Sequence, residues 1–297
     1  CPIADMKALK PYRKPAIPLP ADIFPNRRNS AGIDLSDPLV REPLMERLEK
    51  LDSKQWRAEP TFMSGADGEV APINKPHDLS AQVGTRRDAL DFEVEEAITR
   101  AQAIQPGWNA LGGDKRATLL EAAADLFEEH TDEFLSLCQR EAGKTLQDAV
   151  LELREAVDFL RYYATEARRL FDRPIALPGP TGEENRLTLN GRGVFACISP
   201  WNFPLAIFIG TPAAAMAAGN TVVAKPAEQT PLVAALAVEL CHQAGIPEEV
   251  FQLLPGAGDV GEFITSDPRI AGVSFTGSTQ TAQAINRSLA ARDGPIA

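Results

Sequence analysis

The chain has 297 residues, 44% of them hydrophobic, enough apolar content for one large or two ordinary cores. Thirty basic against 41 acidic residues leave a formal charge of −11, which argues against nucleic acid or an anionic membrane as the main partner. Cys1, Cys138, Cys197 and Cys241 form no CxxC pair and the three histidines are scattered, so no metal site is expected and a reduced, cytoplasmic setting fits.

The chain opens on Cys1-Pro2-Ile3-Ala4-Asp5, without the apolar core of a signal peptide, and reads as a cut from a longer polypeptide. Residues 1–70 are rich in proline (Pro11, Pro15, Pro18, Pro20, Pro25), with a charged helical piece over 38–51. This pattern predicts an extended linker with one or two short helices, followed by a domain over 71–297. Apolar residues at spacings of three and four predict helices over 115–129 and 132–140, then a long core-facing helix from Leu146 to Ala167. Asn190-Gly191 predicts a hairpin joining 186–189 to 194–198. Beyond it, strands over 194–198, 221–224, 251–254 and 273–275 alternate with helices over 205–218, 231–243, 259–265 and 279–290. Gly219 and Gly245 fall where helix C-terminal caps belong. The alternation predicts an α/β fold, a parallel nucleotide-binding sheet covered by helices. The longest apolar stretch, 203–218, is broken by Pro204 and Pro212, and no transmembrane segment is predicted.

Four short motifs carry chemistry. Ile198-Ser199-Pro200-Trp201-Asn202-Phe203-Pro204 leaves a buried strand and sets one amide, Asn202, among prolines and aromatics. A stiff, dry turn of this kind would present an N–H to a developing oxyanion; the plain alternative is an aromatic plug in a loop. Lys225-Pro226-Ala227-Glu228 leaves the next strand at the edge where open α/β sheets bind ligands. The pair suits a ribose diol, and its carboxylate would repel a 2′-phosphate, favouring NAD over NADP; a surface ion pair is the plain alternative. Gly256-Ala257-Gly258-Asp259-Val260-Gly261 matches GxGxxG between strand and helix, with Gly258 and Gly261 facing a phosphate, but no acidic ribose anchor follows near Thr276. An ordinary βα turn wants glycine as well. Phe275-Thr276-Gly277-Ser278 ends a further strand, where Ser278 would meet a pyrophosphate, cap a helix, or do both. Glu141-Ala142-Gly143-Lys144-Thr145 is rejected as a P-loop, because Cys138 stands where the first glycine should and a helix precedes it. Cys138, Cys197 and Cys241 read as inert packing.

In this order the four motifs resemble the aldehyde dehydrogenase superfamily, over about 71–297. Glu141 to Thr145, Arg154-Glu155-Ala156-Val157-Asp158-Phe159, Phe203 to Phe208 and Lys225 to Pro231 are similar to its pyrroline-5-carboxylate dehydrogenase branch. Arg28 to Leu35 resembles the linker that joins such a module to proline dehydrogenase in bifunctional proline-utilisation enzymes. The resemblance implies NAD-dependent oxidation of L-glutamate γ-semialdehyde to glutamate. Asn202 would steady the oxyanion that forms when a cysteine thiolate attacks the aldehyde. Lys225 and Glu228 would hold the adenosine ribose, with Trp201 and Ser278 by the pyrophosphate. It also implies an FAD-dependent proline dehydrogenase partner on the same parent chain and a homo-oligomeric parent.

Two departures stand out. Ala282 occupies a position where the superfamily often has glycine. The segments expected to carry the nucleophilic cysteine, the general-base glutamate and most of the catalytic domain are not found by Ala297, so the chain alone is expected to be inactive. The rival readings are a non-catalytic NAD-binding module and another NAD-dependent semialdehyde dehydrogenase.

Overall fold

A computed structural model describes residues 18–62 and 68–293. Cys1, Pro11 and Pro15 lie outside the described residues. After a 3-10 turn at Pro20–Asp22 comes helix α1 (Pro38–Lys50), with Pro38 at its first position. Asp37 caps it by accepting from the Leu39 N–H (2.9 Å). Leu44 and Leu48 on α1 are buried in the main core. Strand β1 (Trp56–Ala58) pairs in parallel with β3 (Asp78–Arg87), which also pairs antiparallel with β2 (Val70–Lys75). The described part of the segment read as a linker over 1–70 carries the helix expected over 38–51 as α1, and it packs on the core. Proline content marked extended backbone, but the spaced leucines of α1 and the buried Ala58 bring it onto the core.

Four helices follow: α2 (Asp91–Ala110), α3 (Gly113–Glu129), α4 (Thr131–Arg140) and α5 (Leu146–Phe171). The expected stripe of α5 is buried from Ala149 through Val157 and Leu160 to Ala167, and Thr145 caps the helix by accepting from the Asp148 N–H. Strands β4 (Ile175–Leu177) and β5 (Asn185–Leu187) pair antiparallel with each other. The predicted hairpin between 186–189 and 194–198 does not form. Strand β6 (Val194–Ile198) has both edges taken by parallel neighbours, and the Gly191 N–H donates instead to Asn109 Oδ1 (2.8 Å).

From β6 the strands and helices alternate as predicted: α6 (Ala206–Ala217), β7 (Thr221–Lys225), α7 (Pro231–Gln243), β8 (Phe251–Leu253), α8 (Gly258–Ser266), β9 (Ile270–Phe275) and α9 (Thr279–Ala290). Gly219 and Gly245 end α6 and α7 with φ of 88° and 97°, a conformation that a Cβ would strain. The parallel sheet runs β8-β7-β6-β9. Its side chains alternate between faces, and both faces are covered. Cys197, Val222 and Ala224 pack toward the cluster that holds α3 to α7, whereas Val194, Ala196 and Val223 pack with Val94 and Ile98 of α2 and Ile264 of α8. Among the described residues no helix is long and apolar enough to cross a membrane.

Candidate functional site

The strand order is that of a doubly wound sheet: the chain moves outward from β6 to β7 and β8, then returns to place β9 on the other side of β6. The crevice beyond the strand C-termini at such a reversal is where open α/β sheets bind ligands. Here Ile198 lies opposite both Lys225 and Phe275. The Thr276 N–H donates to the Ile198 carbonyl (3.1 Å) and the Ser199 N–H to the Lys225 carbonyl (3.2 Å). Three of the four motifs thus meet in register at one sheet edge, and the glycine loop joins them through Lys225.

Lys225 is only 6% exposed. Its Nζ donates to the carbonyls of Pro226 and Gly256, both at 2.9 Å, so the surface ion pair is ruled out for the lysine. Burial pushes its pKa down, opposed by the nearby Glu228, Asp88 and Asp259 carboxylates. Glu228 is half-buried; its carboxylate accepts from Gln229 Nε2 (3.0 Å), and Arg86 of β3 donates to its backbone carbonyl (2.5 Å).

Between α8 and α9, beside Lys225, lies a cleft of about 240 Å³ lined by Ile198, Gly258, Gly261, Thr281 and Ile285. A Cβ on Gly261 would stand 3.4 Å from the Lys225 side chain, while one on Gly258 would meet nothing within 4 Å. A side chain at Gly258 would extend into open space, and one at Gly261 would reach ordinary contact with the lysine. Asp259 puts a carboxylate in the first turn of α8, which disfavours an anion at that helix end.

Ser278 caps α9, accepting from the Thr281 N–H (3.1 Å), so its structural reading holds. Phe275 is half-buried, with its ring close over Gly277. Ala282 sits in the first turn of α9, its N–H bonded to the Ser278 carbonyl.

In the remaining motif Ser199 is buried and Pro200 half-buried, but Trp201, Asn202 and Phe203 are exposed. The expected dry aromatic turn is corrected: only Pro204 and Leu205 re-enter the core. Stiffness comes from elsewhere. Glu152 Oε2 accepts from the N–H groups of Leu205 (3.2 Å) and Ala206 (2.9 Å), and Lys144 Nζ lies 4.4 Å from the centroid of the Phe203 ring.

The sequence pattern of the aldehyde dehydrogenase family matches residues 62–296. The chain belongs to the aldehyde dehydrogenase family. Among curated relatives, the bifunctional protein PutA of Klebsiella aerogenes is 45% identical over 284 residues, 95% of this chain and 21% of the relative. The 1-pyrroline-5-carboxylate dehydrogenase of Geobacillus kaustophilus is 35% identical over 243 residues, 80% of this chain and 47% of that protein. The crystal structure of a mutant of Bradyrhizobium japonicum proline utilization A superposes with a TM-score of 0.81 at 46% identity, covering 95% of this chain and 26% of that one. The chain thus spans about a fifth of the first curated relatives it matches.

In this aldehyde dehydrogenase chain the described cysteines are poor nucleophiles. Cys138, Cys197 and Cys241 are buried. Burial pushes Cys197 up to about 12 and raises Cys241 too; for Cys138 the Glu152 and Glu141 carboxylates add to it. No group of three or more histidine, cysteine or acidic residues among the described residues suits a metal. Sequence reading missed three residues that hold the site: Arg86 on the Glu228 loop, Glu152 at the start of α6, and Glu141. The Glu141 carboxylate accepts from the Leu232 and Val233 N–H groups (2.6 and 2.9 Å) at the start of α7. The signal available was Glu141 to Thr145, rejected as a P-loop and used only for its family resemblance, with no role given to Glu141 itself.

Proposed function

We propose that this chain supplies the NAD-binding half of an aldehyde dehydrogenase that oxidises L-glutamate γ-semialdehyde, in equilibrium with pyrroline-5-carboxylate, to glutamate in proline catabolism. The register that sets Ile198, Lys225 and Phe275 side by side carries this reading, because it gathers the motifs at one edge. Its similarity to bifunctional PutA over 95% of its length supports the substrate.

The residues present fit NAD. Two of the three Lys225 ammonium donors are spent on loop carbonyls, and the third is available for a ribose hydroxyl. The Glu228 carboxylate accepts from the same diol and repels a 2′-phosphate, which selects NAD over NADP. Ile198 and Ile285 give the cleft apolar walls for the adenosine, and Gly258 and Gly261 also line it. Asp259 repels phosphate at the start of α8, so the pyrophosphate falls to Ser199, Pro200, Trp201 and to Phe275, Thr276, Gly277 and Ser278. Bound NAD supplies the hydride acceptor. Asn202 donates its side-chain N–H to the oxyanion formed when a thiolate attacks the aldehyde, a contribution of roughly 10²–10³-fold in rate. The thiolate and the base that activates the hydrolytic water come from outside the described residues. On this reading the whole protein is a cytoplasmic homo-oligomer that also carries an FAD-dependent proline dehydrogenase.

NADH formation from L-glutamate γ-semialdehyde tests the reading. The whole protein turns over, Asn202→Ala lowers kcat by about 10²–10³-fold, and the chain of 297 residues alone gives no NADH. Turnover by the chain alone contradicts the assignment of the thiol, and an unchanged kcat in Asn202→Ala contradicts the oxyanion role.

A further inference from the structure

We propose that Lys144 and Glu152 are positioning residues that hold Asn202 in its working geometry. The inference rests on the oxyanion reading of Asn202 given above. Asn202 is exposed, and among the described residues no side-chain hydrogen bond restrains it; its neighbour Phe203 is 43% exposed. Hydrophobic packing therefore fixes the loop only from Pro204 onward. Polar groups grip it on both sides of that point, at the Phe203 ring before Pro204 and at backbone N–H groups after it.

The first N–H groups of a helix have no partner within it, and a carboxylate is favoured there. Neither Leu205 nor its neighbours caps α6 with a side chain. Glu152, two turns into α5 and 1% exposed, does so from another helix, with Oε2 on the Leu205 and Ala206 N–H groups. Its other oxygen, Oε1, lies 2.9 Å from Lys144 Nζ. The same ammonium sits over the Phe203 ring. One ion pair therefore holds the residue after Asn202 by its ring and the next two N–H groups by their backbone. Lys144 is itself anchored: Gly143 before it turns at φ 67°, and its own N–H donates to the Cys138 carbonyl (3.1 Å).

This gives the P-loop-like segment its purpose without a phosphate. Glu141 caps α7, Lys144 pairs with Glu152, and Thr145 caps α5. A buried ion pair is a weak source of net stability compared with apolar side chains of the same volume. Its placement beside the exposed amide points to geometry, where an error near 1 Å costs about 100-fold in rate.

The test is steady-state NADH formation by the whole protein with L-glutamate γ-semialdehyde, alongside calorimetric binding of NAD. Lys144→Met should lower kcat by about 10-fold or more with the affinity for NAD unchanged, and Lys144→Arg should recover most of the loss. Phe203→Leu, at an exposed ring where folding is not at risk, should lower kcat in the same sense. In an Asn202→Ala background, Lys144→Met should have no further effect, which a merely structural role would not produce. Unchanged kcat in both Lys144→Met and Phe203→Leu overturns the inference while leaving Asn202 its role. An equal loss from Lys144→Met with and without Asn202 also overturns it. If Asn202→Ala itself leaves kcat unchanged, the oxyanion reading falls, and the inference with it.

Discussion

Lys225 stays in a nearly closed site because the Pro226 and Gly256 carbonyls each accept from its ammonium at 2.9 Å. Sequence alone left open a surface ion pair with Glu228, since a spacing of three residues does not report burial. What decides the matter is the glycine loop, 31 positions downstream, which supplies one of the two acceptors. The Asn202 amide shows the converse: its place after β6 was legible from the apolar run before it, but the exposure of Trp201 and Phe203 was not. The three described cysteines are buried as expected, because each lies on an apolar face of its element. Buried thiols with raised pKa carry little thiolate at neutral pH. Alkylation of the native protein at pH 7.5, mapped by peptide mass, should therefore leave Cys138, Cys197 and Cys241 unmodified. Rapid labelling of Cys197 would contradict its assignment to packing.

Helices and strands from β6 to α9 were legible within a residue or two, except that β9 starts three residues earlier than expected, because period, caps and turn glycines are local signals. The failures are those of long-range partners. The hairpin at Asn190-Gly191 was a sound local reading, overridden because β7 and β9 occupy both edges of β6. The starts of α6 and α7 are capped by carboxyl groups 53 and 91 positions away, which no local pattern encodes. The second of these has a measurable signature. Burial pushes the Glu141 carboxyl up to about 8 from 4.5, outweighing its two backbone N–H bonds. A carboxyl whose pKa is raised on folding binds more protons in the native state between those two values. Its contribution to stability is then fully present below about 4.5 and is lost as pH rises through about 8. Denaturant unfolding of wild type and Glu141→Gln should show a stability difference that shifts against wild type from pH 5 to 8, by at most about 1.4 kcal/mol per pH unit. A difference that does not change with pH contradicts the buried, proton-binding carboxyl.

At the scale of the molecule, the strand order β8-β7-β6-β9 turns separate motifs into one edge, and a cleft of about 240 Å³ opens beside Lys225 at that edge. The α/β class was legible in the alternation of apolar strands with helices. The integration of α1 and β1 into the core was not, because proline content masked the buried Leu44, Leu48 and Ala58. Family membership follows from the match over residues 62–296, while cofactor and substrate stand as the proposals made above. Their shared premise is that Lys225 and Glu228 recognise the adenosine ribose of NAD. Isothermal calorimetry of the whole protein with NAD tests it most directly. Saturable heat is expected with NAD and at least about tenfold weaker binding with NADP. Glu228→Ala should weaken NAD binding by a similar factor and narrow the difference between the two dinucleotides. Equal affinity for NAD in wild type and Glu228→Ala, with discrimination against NADP intact, would contradict the site.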